Sequence, residues 1–203
     1  MIRTRGYVGV VGAVAALCLG ACGEGESKSK LVDAVSGGAG ASEAVTGDAA
    51  TIIEVNGEQS ATAGGVSFTV PMSWKSQAPS SSSRLMQFEL PGGAEMVVSG
   101  GGSIGGSATA NLDRWDGQIE GGRSDRTTTQ TGGLTVHVID AEGVYSTRMP
   151  GAPPPLPGAR LIGAVVEGVP SGPVFIKIVG PRGALAREQE AIAAMLSTLK
   201  PAP

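Results

Sequence analysis

Apolar and polar residues alternate along much of this chain, and the changing period predicts its elements. Val66, Phe68 and Val70 fall on one side of a strand, Ser67 and Thr69 on the other, and Pro71 closes it. Met72-Ser73-Trp74 makes a corner, and Ser80–Ser83 reads as a loop. Met86, Phe88 and Leu90 then alternate with Gln87 and Glu89. After Pro91-Gly92-Gly93 the alternation returns in Ala94, Met96 and Val98, which predicts a hairpin. The period then changes. Ala108, Leu112, Trp115 and Ile119 recur at helical spacing, with Asn111, Asp113, Arg114 and Asp116 turned away and Ser107 placed as N-cap. A Thr-rich turn leads to a strand over Leu134–Ile139, and Gly143-Val144-Tyr145 opens a partner strand. Residues 149–158 form a proline-rich excursion. Two strongly apolar strands follow, Leu161–Val166 and Val174–Val179. The last element is a helix from Gly183 to Leu199, with Leu185, Ile192, Met195, Leu196 and Leu199 in one stripe. Hairpins dominate this order. It predicts an α+β domain with a largely antiparallel sheet of about six to seven strands and two amphipathic helices.

The N-terminal pattern is different. Residues 6–20 carry no charge and follow Arg3 and Arg5, an arrangement that reads as an export signal. The run falls short of the ~20 residues a membrane-spanning helix needs. It ends in Leu19-Gly20-Ala21-Cys22, which resembles the lipobox of bacterial lipoproteins. That resemblance implies cleavage before Cys22, a diacylglycerol on its thiol and an acyl chain such as palmitate on the new amine. Cys18 follows Leu17, too large for the position before such a cut. Two or more acyl chains would hold the protein firmly to a membrane.

Residues 23–60 mix Gly, Ser and Ala with a few charges, a composition that cannot offset ordering entropy and reads as a tether. Thr51-Ile52-Ile53-Glu54-Val55 is a strand-like patch within it, able to dock as an edge strand. The expected organisation is therefore a signal over 1–21, an anchor and spacer over 22–60 and one α+β domain over 61–203. The expected location is the non-cytoplasmic side of a membrane, facing the periplasm from the outer membrane in a Gram-negative envelope, since no aspartate follows Cys22 directly.

Composition removes several classes. The chain has two cysteines; Cys18 leaves with the signal and Cys22 is lipidated, so no disulfide or disulfide-linked partner is expected. Lys+Arg 15 against Asp+Glu 18 gives −3, and without the two signal arginines 13 stand against 18, a net of −5. A mildly acidic domain with 3 % aromatics argues against nucleic acid.

Phe68, Val70, Pro71 and Trp74 at the start, Asn111, Leu112, Arg114 and Trp115 on the helix, and Lys177, Gly180, Pro181 and Met195 near the end resemble the PsbP/Mog1-type α/β sandwich. Asn111-Leu112-Asp113-Arg114-Trp115 with Lys177-Ile178-Val179-Gly180-Pro181 also resembles a group of uncharacterised exported proteins of bacteria. The resemblance spans most of residues 64–200. It implies a sandwich and a binding or accessory role, with an envelope protein as the partner to look for, but not the manganese and photosystem roles of PsbP, whose ligand cluster has no match here.

Four features invite chemistry. Gly100, Gly102 and Gly105 satisfy G-x-G-x-x-G, but the chain continues through Gly121-Gly122-Arg123 and not into a buried parallel strand, so a Gly-rich turn is the better reading. A turn at the start of a helix can still cradle a small anion. His137, the sole histidine, shares a strand face with Thr135 and Ile139. It has neither the cysteines nor the carboxylates of a zinc site, and no G-x-S-x-G elbow accompanies it. Glu95, Asp113, Asp116 and Glu120 are candidate paired carboxylates, although the last three sit at helical spacing on a solvated face. Trp74 and Trp115 fall where a core needs bulk, and Pro153-Pro154-Pro155-Leu156-Pro157 is a stiff surface loop. No catalytic residue, metal or cofactor is assigned. A binding or accessory module is the favoured class, and a small exported hydrolase using His137 or the helix carboxylates is the alternative.

Overall fold

The structure, a computed structural model, describes residues 50–203 apart from 56, 101, 103 and 148–150. The export signal, Cys22 and the spacer as far as residue 49 lie outside the described residues. The described chain runs β1 (Thr51–Val55), β2 (Glu58–Ala63), β3 (Val66–Val70), β4 (Lys75–Gln77), β5 (Met86–Leu90), β6 (Ala94–Gly100), α1 (Ala108–Asp116), β7 (Ile119–Thr131), β8 (Leu134–Tyr145), β9 (Leu156–Glu167), β10 (Val174–Pro181), α2 (Arg182–Arg187), α3 (Gln189–Ser197) and β11 (Lys200–Pro201). One sheet has the order β1-β2-β3-β11 and the other β4-β5-β6-β10-β9-β8-β7. Every pairing is antiparallel.

The α+β class is as expected, but the strand inventory is larger and divides between two sheets. Thr51–Val55 docks as an edge strand, as its β-branched pattern suggested, and the start of β2 beside it also falls inside the stretch assigned to the spacer: β1 and β2 pair from Thr51↔Thr62 to Val55↔Glu58. Gly143–Tyr145 continues β8 and does not open a new strand. The Thr-rich segment taken for a turn belongs to β7, paired with β8 along its length. Its reversal is made by Gly132-Gly133, with φ 58° and 87°, the double left-handed conformation of a two-residue hairpin. No helix among the described residues is long and apolar enough to cross a membrane.

Strand alternation gives the seven-stranded sheet two apolar faces. Its inner face shares one buried cluster with the four-stranded sheet and α2–α3, including Phe68, Trp74, Phe88, Met96, Ile176 and Leu185. The expected terminal helix is broken in two at Glu188, whose φ and ψ of −89° and 4° lie between α2 and α3. Glu188 Oε2 accepts the indole N–H of the fully buried Trp74 at 2.8 Å. A buried indole without an acceptor would cost about 1–3 kcal/mol.

The outer face carries α1. Leu112 and Trp115 pack on Ile139, Leu161, Val165 and Phe175, and the Trp115 and Phe175 rings meet edge to face at 6.4 Å and 87°. Trp115 lies directly over Gly163, where a Cβ would run into its ring. Ser107 caps α1 as expected, its Oγ accepting from Ala110 N at 3.2 Å. The buried Asn111 ties the preceding turn to the helix, donating to the carbonyls of Gly105 (3.2 Å) and Ser107 (3.0 Å).

Candidate functional site

Helix α1 covers β8 and β9 but leaves the outer face of β6 and β10 to a cleft of about 930 Å³. Period-two alternation sends Glu95, Val97 and Ser99 of β6 and Phe175, Lys177 and Val179 of β10 to this face. Arg114, Trp115 and Gln118 line it from the α1 side, Tyr145 from the end of β8 and Arg84 from the segment before β5. Ile104, from the Gly-rich turn, and Gly151–Pro154 with Leu156, from the proline-rich segment, complete it. Lys177 stands in its floor.

The lysine is half-buried, and its ammonium donates to Gln118 Oε1 at 2.5 Å and Tyr145 Oη at 3.0 Å. Nζ also lies over the Tyr145 ring, 4.8 Å from its centre, so both the hydroxyl and the ring face meet the charge. Desolvation by burial, reinforced by the positive charges of Arg114 and Arg84 and opposed by Glu95, lowers its pKa to about 8. Burial, with the nearby Glu95 charge, pushes the Tyr145 phenol up. Glu95 is engaged elsewhere: Arg84 Nη1 donates to it at 2.9 Å and Gln87 Nε2 at 2.7 Å. Arg114 is exposed and has no ion pair among the described residues. A smaller depression of about 440 Å³ shares Glu95 but is lined by side chains already paired, as Gln77 is with Glu89 at 3.3 Å.

The candidate residues of the sequence are scattered around this cleft and do not converge. His137 sits in a line across three strands, its Nδ1 3.0 Å from Thr128 Oγ1 and its Nε2 3.1 Å from Glu167 Oε2. None of the three lines the cleft. Asp113 and Asp116 do not face each other as an acid–base pair; both bind Arg126, at 2.7 and 3.2 Å. Glu95 belongs to the Arg84 network, and Glu120 has an interaction of its own. At the described part of the Gly-rich turn, the Gly105 carbonyl accepts from Asn111, and Ser107 Oγ accepts from Ala110 N in the first turn of α1. Trp74 is core, while Trp115 is both core and cleft wall. Cys22 is outside the described residues.

Sequence reasoning quoted Lys177 only for a resemblance and passed over Arg84, Gln118 and Tyr145 as chemistry. One signal was present. Phe175-Ile176-Lys177-Ile178-Val179 is an apolar strand interrupted by a single lysine, and a charge in a strand buried on both faces calls for a reason.

No family model matches the chain, and no curated protein matches it. Among solved structures, the solution structure of cyanobacterial PsbP (CyanoP) from Synechocystis sp. PCC 6803 is similar over 81 % of this chain and 99 % of its own, with 10 % identity and a TM-score of 0.47. No role is carried over from a likeness of that extent. The α+β architecture rests on the strand pairings themselves.

Proposed function

We propose that this protein is a membrane-tethered lipoprotein whose folded domain is a binding or accessory module of the cell envelope, with the cleft around Lys177 as its binding site. The observation that carries the binding role is that cleft, a part of the sheet left uncovered by helix that holds a half-buried lysine under a wall of apolar side chains. The tether is supported by Leu19-Gly20-Ala21-Cys22 and the spacer behind it. Cys22 carries the lipid, and the domain hangs on the non-cytoplasmic side, facing the periplasm from the outer membrane where the envelope is Gram-negative. Replacing Cys22 by Ser moves the protein from the membrane fraction to the soluble one and abolishes labelling by palmitate; a Ser variant that stays with the membrane contradicts the tether. Native mass spectrometry of the protein taken from its own envelope tests the binding role. A bound small molecule, lost on Lys177→Met, is expected, and a protein that carries none under saturating envelope extract contradicts it.

The hydrogen-bonded line Thr128–His137–Glu167 favours a second reading, a small exported hydrolase with the hydroxyl as nucleophile and the imidazole as base. It lies on strand surface outside the cleft, which gives a substrate no enclosure. A hydrolase screen in which His137→Ala abolishes an activity would establish it, and a silent screen removes it.

A further inference from the structure

We propose that the cleft is built for an organic anion, whose carboxylate or phosphate head lies against Lys177, Arg114 and Arg84 while its apolar body rests on Val97, Val179 and Leu156. The inference deepens the binding reading above and depends on it. Three cationic groups line the cleft against one carboxylate, and that carboxylate, Glu95, is already held by Arg84 and Gln87. The positive charge of Lys177 and Arg114 is therefore left without an anionic partner among the described residues. Of the three ammonium hydrogens of Lys177, two have acceptors, both neutral oxygens. A half-buried cation held by neutral acceptors is costly, and an incoming anion relieves that cost, whereas a cation or a neutral ligand does not. The guanidinium of Arg114 offers the paired donors that carboxylate and phosphate oxygens fit. The size of the cleft, about 930 Å³, suits a small molecule with a body as well as a head, since such sites span roughly 300–1,000 Å³.

Proton linkage gives the same burial a measurable consequence. The charged groups facing Lys177 are Arg114 from α1, Arg84 from before β5 and Glu95 from β6, with the Tyr145 phenol from β8. Burial lowers the lysine to about 8 and moves Tyr145 upward, away from that range. An anion favours the protonated amine, so its affinity falls as pH rises through about 8.

The test is calorimetric titration of the full-chain Cys22→Ser protein at pH 7 with 2-naphthoate, its neutral counterpart 2-naphthamide, dodecanoate and inorganic phosphate. Expected are binding of 2-naphthoate or dodecanoate, a ring-bodied or chain-bodied ligand according to which is tighter, and roughly tenfold or weaker binding of the amide and of phosphate, the loss of a charged hydrogen bond or of the apolar contact. Lys177→Met and the exposed Arg114→Gln each weaken the acid by about tenfold and leave the amide unchanged, while Arg126→Gln, outside the cleft, changes nothing. The wild-type affinity declines through pH ~8 and that of Lys177→Met does not. Equal affinity for acid and amide, phosphate binding as tightly as 2-naphthoate, or failure of both acids to bind overturns the anion assignment. A co-purifying envelope ligand that proves uncharged would overturn it too, while leaving the binding reading in place.

Discussion

Lys177 is a residue whose placement costs the fold something. Its amine is lowered from an ordinary value of 10.5 to about 8, chiefly by burial, so the folded protein holds the charged form at a disadvantage. At about 1.4 kcal/mol per unit this is on the order of 3–4 kcal/mol, partly offset in any variant by the lost bonds to Gln118 and Tyr145. The sign follows from where each state holds its proton. Below pH ~8 folded and unfolded chains are both protonated and the disadvantage is complete. Between about 8 and 10.5 the folded chain has released its proton and the unfolded chain has not, so stability rises with pH across that window. Above it both are neutral. Lys177→Met is therefore expected to raise the urea midpoint at pH 7 by the equivalent of roughly 1–2 kcal/mol, a gain that disappears near pH 10.5. A destabilised Met variant would mean that the two hydrogen bonds outweigh the burial of the charge. Stability given up at one polar position in an apolar strand is what a working site leaves behind.

At the scale of elements, α1 decides where the cleft lies, and Gly163 decides where α1 sits. Trp115 covers the bare backbone of Gly163 and meets Phe175 edge to face, so a methyl at 163 must displace the indole. Gly163→Ala is expected to cost about 1–3 kcal/mol in denaturant unfolding and to shift Trp115 fluorescence and the cleft wall with it. A variant as stable as the parent, with an unchanged spectrum, would show that α1 is not seated on that contact. What the sequence revealed at this scale tracks burial. The β5–β6 hairpin was legible because Met86, Phe88 and Leu90, then Ala94, Met96 and Val98, alternate strictly and all are buried. β9 and β10 were legible as apolar runs. β7 was not, because almost all of it is exposed: an edge strand paired on one side carries no apolar alternation to read. β2 hid for a related reason, its inward positions being Gln59, Ala61 and Ala63. The α2–α3 break at Glu188 answers to Trp74, 114 residues away, which no local pattern encodes.

The whole molecule brings together what the chain keeps apart. Arg84, Arg114, Tyr145 and Lys177 come from four segments, and only the order β6-β10-β9-β8 of the large sheet, with α1 across it, gathers them into one cleft. That is why the candidate site was largely hidden in the sequence while the class of the fold was not. The proline-rich and Gly-rich segments, which looked like separate surface loops, both contribute described residues to its wall. If this cleft is the binding end of a tethered module, its defining property is a desolvated amine waiting for a negative charge. Titration of the Lys177 side chain by NMR, in the free Cys22→Ser protein and again with 2-naphthoate present, tests that property most directly. The expected result is a midpoint near 8 in the free protein that moves upward when the acid is added; an ordinary lysine value near 10.5, unmoved by the acid, would contradict it.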